Sequence, residues 1–355
     1  PARLAGAIRR RFGKHPIGRE IPVQKSAGQL ARMRDELIAG ARRKGELARW
    51  LLAQQEWDFS ITVFGETHRA GHLLWPSLPG EGRDHPAGAL LDVYRAVDDA
   101  IGQLIEGVRM EDTTLVIFSA HGMAPNTSQE HFTRRIMDRV NERFRNSGRS
   151  ANAPHRGPRQ RSLMRLLREQ LPAGVQHAVG QAVPDFVQEI VVDRAITAGH
   201  DWVHTPALAV LASVTGYIRF NIRGRETRGT LEPGSETFTR YMRWMRECFQ
   251  SFRTVETGQP LVKDIALTAD SFPGPRQSYL PDAVISWTGG SPASRIHSDL
   301  LGTIEAEAGT GRTGNHHPDG FSIVVERGGE RGKAAMPGDV LDLKPMVFQR
   351  LGGPW

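Results

Sequence analysis

The sequence predicts an α/β protein. Helical and strand-like patterns alternate along much of the chain, and residues typical of metal sites directly follow two apolar runs that end at Phe64 and Ser119. In an open α/β sheet, side chains from separate strands meet in the crevice beyond the carboxyl ends of the strands. A chain of 355 residues, 39% of them hydrophobic and 24% charged, can bury a sizeable core in one large domain or two ordinary ones.

The first predicted elements are a long helix and a strand. Ser26 and Gln29 have the spacing of a capping box, and the apolar residues after them recur at mostly helical intervals, which predicts a helix over about 26–55. The apolar run over 57–64, WDFSITVF, predicts a buried strand. The proline-rich stretch over 76–86 predicts a loop.

A second helix and a second strand follow. The apolar residues predicted to form the inner face of this helix are Tyr94, Val97, Ile101, Leu104, Ile105 and Val108. Residues 113–119, TTLVIFS, predict a strand that leads into the short sequence AHGM. Strand, helix and strand in this order are typical of a parallel α/β sheet.

The rest of the chain predicts an insertion and a return to the core. Residues 124–200 are Arg-rich and mostly helical in pattern, whereas strand patterns return after 201, with helices predicted near 236–251 and 340–351. The predicted strands there are ALAVLAS, GYIRFNI, DAVISW and FSIVVE. We therefore expect 1–123 to form the first part of the α/β core, 124–200 a helical cap, and 201–355 the remainder of the core.

Composition limits the classes of function. The net charge is +7, but the basic stretch over 145–170 lacks interleaved aromatic residues and a nucleic-acid motif, so nucleic-acid binding is not expected. The longest strongly apolar run, about eight residues over 207–214, is shorter than the roughly 20 residues of a membrane span. The N-terminal residues do not resemble a secretory signal. Cys248 is the only cysteine, which excludes an internal disulfide and indicates a reducing, cytoplasmic location.

Several histidines have positions typical of metal ligands. His68 and His72 lie four residues apart, which places them on one face of a helical turn. His121 follows the strand over 113–119, and His316 precedes the strand FSIVV. Each of them taken singly is more typical of a core or surface histidine than of a ligand. Their shared position, beside glycines at the ends of predicted strands, favours a metal site.

Three segments in this order, FGETHRAGHLLW, SAHGM and RTGNHHPDG, resemble motifs of the alkaline phosphatase superfamily. Within it, they are similar to the type I phosphodiesterase and nucleotide pyrophosphatase branch, and there to the predicted phosphohydrolase/phosphomutase group. The stretches GRETRGTLEPG and LPDAVISW support the resemblance. It implies a three-layer sandwich with a mostly parallel sheet, incomplete here at the N-terminus and carrying a helical insertion.

The resemblance also implies roles for individual residues. His68, His72 and His316 correspond to ligands of one metal ion, and His121 to a ligand of a second ion. The superfamily has an aspartate before this last histidine, but the position is Ala120 here, and an alanine side chain has no donor atom. We therefore expect one ion, Zn²⁺ or alternatively Mn²⁺. The family's Ser or Thr nucleophile is expected upstream of this chain, so no catalytic residue is assigned.

The expected function is metal-dependent hydrolysis of a small-molecule phosphoric ester, impaired in this chain because the nucleophile and the second metal site are missing. One alternative is a pseudoenzyme that retains its metal and binds a phosphorylated ligand or partner. A nucleic-acid binder is a third. If the sheet lacks a neighbouring strand at 57–64 or 113–119, an exposed apolar edge makes self-association possible.

Overall fold

The computed structural model describes residues 2–16, 25–76, 86–147, 205–210, 214–306, 311–326 and 337–352. The chain divides into two compact units. The first unit comprises Pro1–Thr127 and Ala308–Trp355, and the second unit comprises Ser128–Glu307. Among the described helices, none combines the length and the apolar character that crossing a bilayer requires.

The helices and strands are numbered in chain order. The described α-helices are α1 (Ala2–Phe12), α2 (Ala27–Leu52), α3 (Glu66–Leu73), α4 (Ala89–Ile105), α5 (Thr133–Ser147), α6 (Glu236–Ser251), α7 (Thr268–Ser271) and α8 (Leu343–Arg350). The described strands are β1 (Leu115–Ser119), β2 (Gly122–Pro125), β3 (Ala207–Val210), β4 (Gly216–Phe220), β5 (Arg253–Thr254), β6 (Val262–Leu267), β7 (Ala283–Trp287), β8 (Arg295–Ser298), β9 (Gly302–Glu305), β10 (Gly314–His317) and β11 (Phe321–Val325). Short 3₁₀ turns lie at Met110–Asp112, Glu130–Phe132, Gln277–Tyr279 and Val340–Asp342.

Helix α2 begins where the sequence predicts it. The Ser26 hydroxyl accepts a hydrogen bond from the backbone N–H of Gln29, and the Gln29 side chain accepts one from the N–H of Ser26. This reciprocal pair satisfies N–H groups that have no partner within the helix. The helix packs closely against α4, since a Cβ placed on Gly45 would lie 2.9 Å from the Cβ of Ala100.

The buried face of α4 differs from the predicted one. Val93, Ala96, Val97 and Ala100 are buried, whereas Tyr94 is 42% exposed. The predicted inner face consisted of the large apolar residues at helical spacing. The actual interface with α2 uses small residues, because two helices approach closely only where small side chains face each other.

Among the described residues, two antiparallel strand pairs form the sheets of the first unit. Strands β1 and β11 pair from Leu115 opposite Val325 to Ser119 opposite Phe321. Strands β2 and β10 form the second pair. The strands predicted over 113–119 and at FSIVVE are thus confirmed.

The strand predicted over 57–64 is absent. These residues form no helix or strand, with a bend at Asp58, and join no sheet; Ile61 and Val63 are 62% and 70% exposed. The prediction of a buried strand is therefore wrong at this segment. Alternation of apolar and polar residues favours an extended backbone, but burial requires a partner strand that the described residues do not supply.

The second unit holds a larger core. A four-stranded antiparallel sheet in the order β3-β4-β7-β6 lies with helices α5 and α6, and β5, β8 and β9 form a smaller antiparallel sheet. In β4 and β7, buried and half-buried residues alternate. Tyr241, Phe249 and Phe252 are fully buried in one continuous apolar cluster. The predicted strands at DAVISW and GYIRFNI and the helix over 236–251 are confirmed.

The protein combines helices and strands, as an α/β fold requires, but its described sheets are small and antiparallel. A mostly parallel sheet is therefore not confirmed. The predicted division at 123 and 200 stays a prediction, since most of the expected insertion, over 148–200, lies outside the described residues. Its described beginning, α5, packs in the second unit, where Ile136 and Val140 join the core.

Candidate metal centre

Helix α3 presents two of the candidate ligands. It begins at Glu66, so His68 and His72 lie about one turn apart, as predicted. Its apolar side, including Ala70 and Leu73, is buried in the core of the first unit. This packing fixes the rotation of the helix and therefore the direction of both imidazoles.

Strand β10 approaches α3 at glycines. The backbone N–H of Thr313 donates to the carbonyl of His72 over 3.0 Å. A Cβ on Gly314 would collide with the carbonyl oxygen of Gly71, and a Cβ on Gly71 would lie 2.8 Å from the Cε of Met123. These close contacts explain why the positions carry glycine.

The pairing of β10 with β2 brings the other two candidates together. His316 of β10 lies opposite Met123 of β2, and His121 precedes β2 by one residue. A Cβ on Gly122 would collide with the carbonyl oxygen of Asp319. His316 was predicted to precede the strand FSIVV, and it lies on a strand of its own, β10, whose register with β2 fixes its direction.

The four histidines form one cluster, the histidine cluster, comprising His68, His72, His121 and His316. The ring centroid of His316 lies 4.9 Å from that of His68, 4.8 Å from that of His72 and 4.4 Å from that of His121. One nitrogen from each of His68, His121 and His316 can be chosen so that all three lie within 4.8 Å of one another. Two nitrogens that each lie about 2.0–2.1 Å from one ion are at most about 4.2 Å apart, so the three rings must move slightly closer to share an ion.

The environment of His316 keeps its ring neutral. Its Nε2 atom is buried and has no hydrogen-bond partner among the described residues. Burial first, and then nearby positive charge, lower the pKa of His316 from 6.5 to about 4, the charge arising from His72, His121, His68 and Arg312. A neutral imidazole retains the lone pair that binds a metal. A buried nitrogen without a hydrogen-bond partner reduces the stability of the folded protein unless a ligand binds it.

Backbone carbonyls orient two of the rings. The Nδ1 atom of His72 lies 3.1 Å from the carbonyl oxygen of Gly314, and the Nδ1 atom of His121 lies 3.1 Å from that of Gly122. Because a carbonyl only accepts, each Nδ1 carries the proton, and Nε2 carries the lone pair. Metal-binding histidines are commonly oriented in this way.

The resemblance implies that these histidines bind two ions, and in the structure the other three rings lie within 4.9 Å of the His316 ring, centroid to centroid. No Asp or Glu joins the three-histidine group in the part of the chain that the structure describes. Position 120, beside His121, is alanine. The donor set is therefore entirely nitrogen, which fits Zn²⁺ and does not fit Mg²⁺ or Ca²⁺, since those ions prefer oxygen ligands.

Sequence reasoning missed Glu66. Its side chain is only 1% exposed, and its two oxygens lie 2.8 and 2.9 Å from the Lys44 ammonium of α2. The Nε2 atom of His15 lies 3.0 Å from the same carboxylate. This buried pair attaches the start of α3 to α2, two residues before His68. The sequence did contain one indication of this role: Glu66 is an acidic residue in the first turn of a short helix, where a negative charge is favourable.

A family model for type I phosphodiesterase / nucleotide pyrophosphatase matches residues 18–215. That range covers more than half of the chain and includes three of the four clustered histidines. The chain belongs to this family. Searches of the curated proteins and of the solved structures find no match. Membership in this family, which is part of the alkaline phosphatase superfamily, confirms the resemblance drawn from the sequence motifs.

Proposed function

We propose that this chain binds one divalent ion, Zn²⁺, through His68, His121 and His316 of the histidine cluster and uses it to bind a small-molecule phosphoric ester. The observation that carries the proposal is the convergence of His68, His121 and His316, with the buried Nε2 of His316 directed to no protein acceptor or donor among the described residues. Three neutral imidazoles are a known catalytic zinc set. The family supplies the reaction class, hydrolysis of phosphoric esters.

The charge of the cluster favours an anionic ligand. No carboxylate among the described residues shares the three-histidine group, so a divalent ion held there would keep most of its positive charge. Arg312, close enough to lower the pKa of His316, adds to it. An electropositive site attracts phosphate groups and raises their local concentration.

When bound, the ion supplies Lewis-acid polarisation of a phosphoryl oxygen. The residues of the chain hold and orient it. His121 and His72 are fixed by their hydrogen bonds to backbone carbonyls, and His316 by the pairing of β10 with β2. In this proposal His72 lies beside the three ligands, although the family resemblance implies that it is a ligand itself.

We expect turnover close to background for the chain by itself. Position 120 cannot contribute a carboxylate to a second ion, and family members of the two-metal type stabilise the attacking and leaving oxygens with two ions. The same observation favours a second candidate function, in which the protein retains one ion and binds a phosphorylated ligand without hydrolysing it. The mostly parallel, three-layer architecture implied by the resemblance stays a prediction.

Metal stoichiometry tests the proposal. Metal-free protein titrated with Zn²⁺ in a calorimeter should bind one ion, and His316→Ala should weaken binding by about 100-fold or more, because removing a ligand exceeds the 10–100-fold effect of removing an outer partner. His297→Ala is the matched control, since His297 lies in the second unit and is exposed. Unchanged affinity in His316→Ala would overturn the proposal.

Two further variants separate the ligand sets. If His68, His121 and His316 bind the ion, His121→Ala should weaken binding more than His72→Ala. The reverse order would favour the set that the resemblance implies. Hydrolysis of an aryl phosphodiester by the Zn²⁺-loaded protein then separates the two functions: turnover abolished by His316→Ala identifies an enzyme, whereas metal-dependent binding of inorganic phosphate without turnover identifies a binding protein.

A further inference from the structure

Two asparagine side chains link the strands of the candidate metal centre. The side-chain amide of Asn315, on β10, donates over 3.2 Å to the side-chain oxygen of Asn126, which directly follows β2. The side-chain oxygen of Asn315 accepts a hydrogen bond from the backbone N–H of His316 over 2.9 Å. These two asparagines, the asparagine bridge, therefore connect the backbone of one candidate ligand to the neighbouring strand.

Asn126 makes two further hydrogen bonds to the chain just before β10. Its backbone N–H donates to the carbonyl of Thr313 over 2.8 Å, and its side-chain amide donates to the carbonyl of Arg312 over 3.1 Å. Both acceptors directly precede the first residue of β10, Gly314. The bridge thus continues the connection between β2 and β10 beyond the ends of the two strands.

Burial makes these hydrogen bonds selective for one alignment of the strands. Asn315 is only 3% exposed, and Asn126 is half-buried. A buried amide that loses its partner destabilises the folded state by more than a typical hydrogen bond contributes. A shifted alignment would separate Asn315 from Asn126 while both side chains stay largely away from water, so it is disfavoured.

The alignment of β2 with β10 matters because their pairing is short. Each strand has four residues, and the described residues add no third strand to this sheet. A two-stranded pair is only marginally stable by itself. A slip by one residue would turn the side chains of β10 to the opposite face, which would carry the His316 imidazole away from His121.

We propose that Asn315 and Asn126 are positioning residues of the metal centre, whose hydrogen bonds fix the register of β10 against β2 and thereby the direction of the His316 imidazole. The inference rests on the proposed function, since it assumes that His316 binds the ion. Outer partners of a metal-binding histidine commonly bond to its ring. The asparagine bridge acts instead through the backbone N–H of His316 and the alignment of its strand.

Zn²⁺ affinity of Asn315→Leu tests the bridge. Leucine has nearly the shape of asparagine but forms no side-chain hydrogen bonds. Calorimetric titration of the metal-free variant should show affinity lowered by about 10–100-fold, the usual effect of removing an outer partner of a ligand. Asn141→Leu is the matched control, because Asn141 is also buried and makes two side-chain hydrogen bonds, but lies in the second unit. Its Zn²⁺ affinity should equal that of the wild type.

The absorption of bound Co²⁺ separates positioning from a general loss of stability. Co²⁺ binds the same kinds of nitrogen ligand as Zn²⁺, and its visible spectrum depends on the coordination geometry. With saturating Co²⁺, Asn315→Leu should change this spectrum, because the His316 imidazole approaches the ion differently. Asn141→Leu should lower the midpoint of urea unfolding and keep the wild-type spectrum. A merely structural role of Asn315 would give this second pattern.

Asn126→Leu provides a second measurement if circular dichroism shows that Asn315→Leu does not fold. It removes the bond between the two asparagines but keeps the bond from the His316 N–H to Asn315, so the expected loss of Zn²⁺ affinity is smaller, about 10-fold. Wild-type affinity together with a wild-type Co²⁺ spectrum in the folded variant would overturn this inference alone. A wild-type chain that binds no Zn²⁺ would overturn the proposed function and this inference with it.

Discussion

The two compact units differ in how completely they cover their apolar side chains. The second unit buries several large aromatic side chains in one continuous cluster around Tyr241 and Phe249. Among its described residues, the first unit has two smaller clusters, each containing residues of both α2 and α4. It exposes Trp57, Phe59, Ile61 and Val63, and alternate residues of β11, namely Phe321, Ile323 and Val325. The candidate metal centre thus belongs to the unit with the less extensive core.

The histidine cluster is positioned by close contacts next to its ligands in addition to the small core beneath α3. The hydrogen bond from Thr313 to His72, the close approach of Gly314 to Gly71, and the buried Glu66 each act within a few residues of a ligand. Short-range constraints of this kind can hold side chains accurately even where neighbouring apolar surface is open to solvent.

The largest expected effect tests the core of the second unit. Phe249→Ala should reduce the free energy of unfolding by about 3–5 kcal/mol, because a fully buried aromatic side chain leaves a cavity. Phe272→Ala, at a position 64% exposed in the same unit, should change it by less than about 0.5 kcal/mol. Denaturant titration followed by circular dichroism measures both. Similar effects in the two variants would show that the cluster around Phe249 is not a closed core.

A smaller effect is expected at the buried carboxylate of the first unit. Glu66→Ala leaves the Lys44 ammonium without its partner, which should cost about 2–3 kcal/mol, less than for a fully buried pair, because Lys44 is 24% exposed and can regain water. Glu46→Ala, at an exposed position of α2, is the control. If the carboxylate positions α3, Glu66→Ala should also weaken Zn²⁺ binding. Destabilisation without any change in Zn²⁺ affinity would limit Glu66 to a structural role.

The smallest effect concerns pH. The pKa of His316 is lowered to about 4 in the folded protein, against 6.5 ordinarily, so the unfolded chain binds more protons between these values. Stability of the metal-free protein should therefore fall as the pH falls from about 6.5 to 4, by on the order of 1 kcal/mol once solvent screening is allowed for. His316→Gln should flatten this part of the profile relative to His297→Gln. A profile unchanged by His316→Gln would contradict the assignment.

The sequence by itself determined the local structure and the chemistry of the site. Caps and periodicity depend on residues that are neighbours in the sequence. The sequence alone therefore predicted the capping box at Ser26, the helix over 236–251 and the strand ending at Ser119. The candidate histidines and the glycines beside them were predicted for a similar reason. The four-residue spacing of two histidines and the conformational freedom of a glycine are both properties of the local sequence. The family followed from these motifs.

Only the tertiary structure decided which segments meet. His72 and the Gly314 carbonyl are 242 positions apart, and their contact depends on the packing of α3 against β10. The same packing brought His121 into the cluster, which the sequence assigned to a second ion. The alternation at 57–64 predicted a buried strand, and the structure has neither a strand nor a buried segment there. Burial depends on a partner strand, and a strand's own residues encode its geometry but not the presence of its neighbour.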